Sequence, residues 1–370
     1  MSFRSIEDLN RAIRNAQIDV KLTSFEQRFL ETGDEASKSF ARLLKIKPIH
    51  RNDPKIKRAY DKAREAQPSN TTKPEFFQTL AKQFSITLEK ISLDQGGALQ
   101  EDRVHRFLDL GYFPGGFSTW LLANNPHAKG VGVNKETPTV NQTLAAERDR
   151  YTIVTADITT LVLQAAENGR DTIIPLDAND GDDTEAPHQY DLVVGGAFPD
   201  IRKAKPEGDL PWWLRPQLVL SQLLIILTHT RKGGFAILHI NTKPFAWMAE
   251  VVGILWATFA KVESTKGTTH LKSTTGYLVC SEFCGENEDT ERYIMQIKTM
   301  LGHLEICSRE EQAADEYDNE LLIETLSGRT FDDIFSAEYQ KVIGLFHPLW
   351  EKQYSKLYEN MKGNIDQCQY

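Results

Sequence analysis

The segment Phe107-Leu108-Asp109-Leu110-Gly111-Tyr112-Phe113-Pro114-Gly115-Gly116-Phe117-Ser118 constrains this chain more than any other. Its first residues have the apolar character of a buried strand. A glycine turn follows, and then a helix expected to start at Phe117 and run through Trp120, Leu121 and Leu122. A strand feeding a helix through such a turn belongs to an α/β sheet. Gly115 and Gly116 let the backbone pass close under a ligand, and the first amides of the helix face whatever acid or hydroxyl sits there. That is the geometry of a loop for a nucleotide-type cofactor. The spacing is not that of the common phosphate loops: no Lys-Ser or Lys-Thr follows, and the third glycine of a dinucleotide fingerprint is missing.

The rest of the chain is organised around this unit. From about Val104, short apolar runs alternate with helical stretches, which predicts a parallel sheet with crossover helices. The expected strands are 106–110, 130–133, 151–155, 191–194, 235–240 and 277–281. Ligands of such sheets bind at the carboxyl ends of the strands, where the strand order switches. Residues 1–95 read as a helical region with a capped start at Ser5, and residues 286–370 as an acidic helical extension. Between them lies the α/β unit, 96–285. The first region carries a basic stretch from Arg42 through Lys45, Lys47, Arg51, Lys55, Lys57, Arg58 and Lys62 to Arg64. It is either an arm for a polyanion or a solvated helix face. Residues 68–72 read as a linker.

Composition excludes several classes. The 370 residues, 40% hydrophobic, can bury a large core, and a net charge of −9 argues against a wholesale nucleic-acid coat. The apolar runs 218–227 and 246–260 are too short to span a membrane. Four cysteines without a Cys-x-x-Cys pair suggest neither a disulfide framework nor a metal site, and so a reducing compartment, cytoplasm or nucleus. The acidic run 177–185 lacks the glycine that a calcium loop requires and reads as a surface insertion.

Asp-x-Gly followed by Pro-Gly-Gly-Phe-Ser resembles the first motif of S-adenosylmethionine-dependent methyltransferases, most of all the FtsJ-type and mRNA-cap ribose 2′-O-methyltransferases. The resemblance continues through Leu218–Leu224, Lys232–Leu238, Pro244-Phe245 and Lys272–Cys280, and covers roughly residues 100–283. It implies a Rossmann-like methyltransferase sheet with helices on both faces, here with helical extensions at each end, and S-adenosyl-L-methionine as cofactor. Asp109, Gly111, Tyr112, Phe113, Pro114, Gly115, Gly116 and Phe117 would then hold the amino-acid tail of the donor. Asn134 falls where the ribose is bound and Gly195 at the end of the fourth strand. Asp157 falls where related enzymes place an acid on the adenine amino group, though the same residue suits a helix N-cap.

The acceptor chemistry departs from the family. Those enzymes use a Lys-Asp-Lys-Glu constellation, whose central lysine is thought to deprotonate a ribose hydroxyl. Here Gly195 and Gly196 stand at the Asp position, His239 at the central Lys and Thr275 at the Glu, while Lys82 and Lys90 both qualify for the first Lys. Three readings follow. The chain is a methyltransferase with a changed acceptor, using His239 as base for a phenol, carboxylate or other acidic small molecule. Or it is a donor-binding or RNA-binding scaffold without catalysis. Or it methylates RNA through relocated groups such as Lys243 or Asp200. The loop 199–205 and Trp212-Trp213 either stack a base or aromatic metabolite beside the site or cover the sheet. The acceptor and the oligomeric state are not legible.

Overall fold

The computed structural model describes residues 3, 5–59, 61–62, 74–136, 142–167, 190–199, 211–310 and 326–366. Helices α1 (Ile6–Asn15), α2 (Ser24–Glu31) and α3 (Glu35–Arg51) open the chain, and α4 (Pro74–Asp94) leads into the sheet. The cap expected at Ser5 is present: its Oγ accepts from the amide of Asp8 at 3.1 Å, satisfying a donor that the first turn leaves over.

Strand β1 (Arg106–Leu110) then alternates with helices: α5 (Gly116–Asn124), β2 (Lys129–Asn134), α6 (Gln142–Ala146), β3 (Tyr151–Thr155), α7 (Ile158–Glu167), β4 (Tyr190–Gly195), α8 (Leu214–His229), β5 (Thr230–Asn241), α9 (Ala246–Thr258), β6 (Phe259–Thr265) and β7 (Thr275–Phe283). Helices α10 (Glu288–Arg309) and α11 (Phe331–Asp366) close the described chain. The sheet has seven strands in the order β3-β2-β1-β4-β5-β7-β6. This is the expected Rossmann-like sheet with helices on both faces, and α5 begins one residue before the expected position.

Two points differ from the sequence reading. The sheet is mixed, since β7 runs antiparallel to both β5 and β6. It also contains β6, which periodicity missed. That strand continues the apolar run of α9, and it lies at the sheet edge with Ala260 and Lys261 exposed, so its pattern is half-erased. The connection from β6 to β7 is too short for a crossover helix, so the two pair as antiparallel neighbours, and β7 slots in beside β5.

Alternation along the strands sorts the core into two layers. Leu108, Leu110, Val193, Ala236 and Leu238 face a cluster shared with α7, α8, α9 and α11. Phe107, Val194, Ile237, Tyr277 and Val279 face the other side, under α4 and α5. Asp109 pairs in register with Val194, and His239 with Tyr277, so both polar residues share this second face.

The terminal helices pack on each other. Trp350 of α11 lies 4.8 Å from Phe40 of α3, Ser39 Oγ meets His347 Nε2 at 3.0 Å, and Arg42 pairs with Glu351 at 2.8 Å. Part of the basic stretch is engaged in such contacts. Lys45 donates to the carbonyl of Arg14, Lys55 to that of Asn364 and Arg58 to that of Pro54. Arg64 and the linker 68–72 lie outside the described residues, as does the insertion 177–185. Among the described residues no helix is long and apolar enough to cross a membrane.

Candidate functional site

Strand order reverses between β1 and β4, and a cleft opens at the carboxyl ends of the strands there. One wall comes from the turn after β1. Gly111 and Gly115 have φ of +75° and +92°, a region that side-chain-bearing residues rarely adopt. The turn is closed by the Gly115 amide on the Tyr112 carbonyl at 2.6 Å, and it includes a cis Phe113–Pro114 bond. Helix α5 starts with Gly115 as its N-cap, which has no side chain to cap the first turn, and the Asp109 carboxylate accepts from the Ser118 amide.

Asp109 projects into this wall from β1. It is 2% exposed, and its Oδ2 accepts from Ser118 Oγ at 2.6 Å, which in turn meets Tyr151 Oη at 2.8 Å. Burial pushes its pKa up to about 6, against the opposing effect of the Ser118 hydrogen bonds. Among the described residues no cation pairs with it. Tyr112 also lines the wall, with its hydroxyl buried and unpartnered.

The opposite wall is aromatic. His239 lies 5.3 Å from Tyr277, 5.6 Å from Phe198 and 5.8 Å from His270 by ring centroids, and Phe84 of α4 closes the row 6.2 Å from His270. Phe198 is placed by Gln222 of α8, whose side-chain amide is bonded to both the amide and the carbonyl of Ala197. His239 Nε2 is buried without a partner, and burial, with His270 and Lys266 nearby, pushes its pKa down to about 3. His270 is pushed down to about 4, by burial and then by Lys266. Both rings are neutral imidazoles at ordinary pH. Sequence reasoning offered His239 as a base; the apolar, cationic setting at this strand end disfavours the imidazolium and makes such a base a weak one.

The sequence-derived residues fall into three groups. Asp109, Gly111, Tyr112, Phe113, Gly116 and Phe117 line the cleft, while Pro114 and Gly115 shape its turn. Gly195 is buried at the end of β4, and its neighbour Gly196 reaches the cleft instead. Asn134 and Asp157 stand at the ends of β2 and β3. Asp157 accepts from Thr159 through both the amide at 3.0 Å and the hydroxyl at 2.7 Å, and pairs with Lys135 at 2.6 Å. Burial works to raise its pKa, but the bonds from Lys135 and Thr159 prevail and hold it below the ordinary carboxylate value. The cap at the start of α7 is therefore real.

Among the described residues, the remaining candidates do not reach the cleft. Lys243 lies beyond β5 with its ammonium 5.5 Å over the Phe245 ring. Lys82 and Lys90 are exposed on α4, and Lys90 is paired with Asp94; the same helix points Phe84 inward instead. Thr275 is tied to Ser273. Asp200 and the cations of its loop lie outside the described residues. Trp212 and Trp213 pack against the main core, so they cover the sheet. Sequence reasoning missed Phe84, Phe198, His270 and Tyr277. The position of Phe198, just past a strand at the switch point, was a usable signal. His270 was hidden with β6.

The family model for FtsJ-like methyltransferases matches residues 88–283, more than half of the chain. No curated protein matches it. Among solved structures it is similar to human Methyltransferase-like protein 13 in complex with SAH (15% identity, 57% of this chain and 90% of that one, TM-score 0.34). It is also similar to the N-methyltransferase NodS from Bradyrhizobium japonicum WM9 in complex with S-adenosyl-L-homocysteine (13%, 53% and 87%, TM-score 0.32). A third is spermidine synthase from Thermotoga maritima (13%, 62% and 67%, TM-score 0.33).

Proposed function

Because the chain belongs to the FtsJ-like methyltransferase family, we propose that its cleft binds S-adenosyl-L-methionine and serves methyl transfer to an acceptor other than a ribose hydroxyl. The observation that carries this reading is the pairing of an unneutralised Asp109 with the glycine-capped start of α5 in one wall. A ligand tail bearing both an ammonium and a carboxylate satisfies the two at once: the ammonium meets Asp109, and the carboxylate meets the first amides of the helix. Asn134 and Asp157, at the next two strand ends, are then the groups for the ribose and adenine. When bound, the donor supplies an electrophilic methyl group on a sulfonium.

The chain's own residues set what can be methylated. Phe84, Phe198, Tyr277 and the two neutral imidazoles form a wall suited to a flat aromatic acceptor. His239 Nε2 accepts a hydrogen bond from the acceptor's nucleophilic group and so orients it. Its low basicity makes it a poor proton sink, so the acceptor must bring a nucleophile that is already acidic, such as a phenol. Above pH 6 the Asp109 carboxylate is charged and holds the donor's ammonium. The free thiols Cys280, Cys284 and Cys307 fit work in a reducing compartment, cytoplasm or nucleus.

A second reading is favoured by the low basicity of His239 and by the absence of lysine from the cleft lining among the described residues: a donor-binding scaffold without turnover. Calorimetry with S-adenosylmethionine and its demethylated product tests donor binding, and absence of binding rejects both readings. Labelled methyl transfer to RNA and to a small-molecule extract then separates them. Transfer to a small aromatic supports the first, transfer to neither the second, and ribose methylation of RNA overturns the changed acceptor.

A further inference from the structure

A second concentration of charge lies outside the cleft, where α3, α11 and the connections after β5 and β6 meet. Helix α3 carries Lys47, His50 and Arg51, spaced i, i+3 and i+4 and so on one side. Helix α11 reaches the sheet through two bonds: Trp350 Nε1 donates to the Thr242 carbonyl at 2.8 Å, and Gln353 Nε2 to the Lys272 carbonyl at 2.9 Å. These bonds bring Lys243, Lys272 and Lys352 to the same corner. Beneath them Lys266, 3% exposed, donates to the carbonyls of His270, Ser273 and Thr275 at 3.2, 2.6 and 2.7 Å.

The charges act on one another. Burial, then Lys243 and Arg51, push the Lys47 pKa down to about 8, with Glu26 opposing. Burial, then Lys47 and Lys352, push Lys266 down to about 7. Burial and Lys272 lower His50, against Asn360 and Asp53. Among the described residues none of Lys47, Lys243, Lys266, Lys272 and Lys352 forms an ion pair. Glu26 offers little relief: one of its oxygens accepts from Thr23, and the other is buried without a partner.

Five lysines crowded together with no ion pair among the described residues and only Glu26 opposing the charge of Lys47, in a chain of net charge −9, raise the energy of the folded state. A bound anion removes that penalty. We propose that this corner binds a small, multiply charged phosphate, a phosphomonoester or diphosphate, with Lys47 and Lys243 in direct contact and Lys272, Lys352 and Arg51 around it. Lys266, with its donors committed to carbonyls, contributes field rather than contact. The recessed Lys47 and the acidic remainder of the chain disfavour a long polyanion, which would have to cross repelling surface. The site is separate from the methyl-transfer cleft, though Lys266 holds the loop that places His270 there.

Titration calorimetry on the full chain with inorganic pyrophosphate and inorganic phosphate, at matched ionic strength, tests this. Saturable binding is expected, tighter for pyrophosphate and at least tenfold weaker in the Lys47→Met, Lys243→Met double variant. Without anion, that variant should melt no lower than the parent, since it loses a repulsion. If it fails to fold, Lys272→Gln and Lys352→Gln, both at exposed positions, replace it, and each should weaken pyrophosphate several-fold. No saturable binding, or full affinity in these variants, overturns the proposal. So does a single-stranded oligonucleotide that binds here when pyrophosphate does not.

Discussion

The two walls of the cleft meet where the rings of Phe117 and Tyr277 lie 6.0 Å apart, and they are built from different materials. The wall after β1 is made of backbone: two glycines at positive φ, a helix start and one carboxylate. The wall at the ends of β4 and β5 is made of side chains, and there Gly196 and His239 stand where the family resemblance leads one to expect an acid and a lysine. A site built from main-chain geometry survives almost any change around it. A site built from tuned charges is lost with the first few substitutions. Under the proposed function, one wall can therefore change without the other.

The largest effect should come from breaking the backbone wall. Gly115→Asp places a carboxylate at φ +92°, beside the start of α5 and facing the tail position. It should abolish donor binding, by more than about a hundredfold, with circular dichroism unchanged. Undiminished affinity in calorimetry would reject the placement of the donor.

Asp109→Asn comes next, with affinity and stability moving in opposite directions. The buried carboxylate has its pKa raised to about 6, above its unfolded value, so its proton stabilises the fold at low pH and that stabilisation is lost as pH rises through 6. At pH 7 the Asn variant should therefore melt higher than the parent, by a margin that disappears near pH 4, while donor affinity falls on the order of tenfold or more. In the parent, donor affinity should fall as pH drops below about 6. A flat profile would remove Asp109 from the donor contact.

The aromatic wall is sharpened by pH rather than by loss of binding. With the His239 pKa near 3, the ratio of parent to His239→Ala turnover should stay constant between pH 5.5 and 9, at roughly tenfold for a lost orienting bond. A ratio that titrates near 6.5 would return His239 to the role of general base. The last test is Asp157→Ala, which should weaken the donor by about 1–3 kcal/mol and lower stability by about 1 kcal/mol, since the same carboxylate caps α7. If only stability falls, Asp157 is a cap and nothing more.

The amino-acid sequence by itself determined the strand-turn-helix unit at 106–124 and the strand positions up to β5. These depend on local matters: apolar runs and glycines where φ must be positive. It also put Gly196, His239 and Thr275 at the strand ends, since the residue type at a strand end is a local fact. Tertiary structure alone decided the rest. It paired β7 antiparallel beside β5, which set Tyr277 against His239. It turned Phe84 rather than Lys82 inward from α4, carried His270 in on a loop that follows an unrecognised edge strand, and left Lys243 outside among other lysines. Each of these depends on contacts between residues far apart in the chain, and hydrophobic periodicity, which reports only how one segment meets its own neighbours, carries no trace of them.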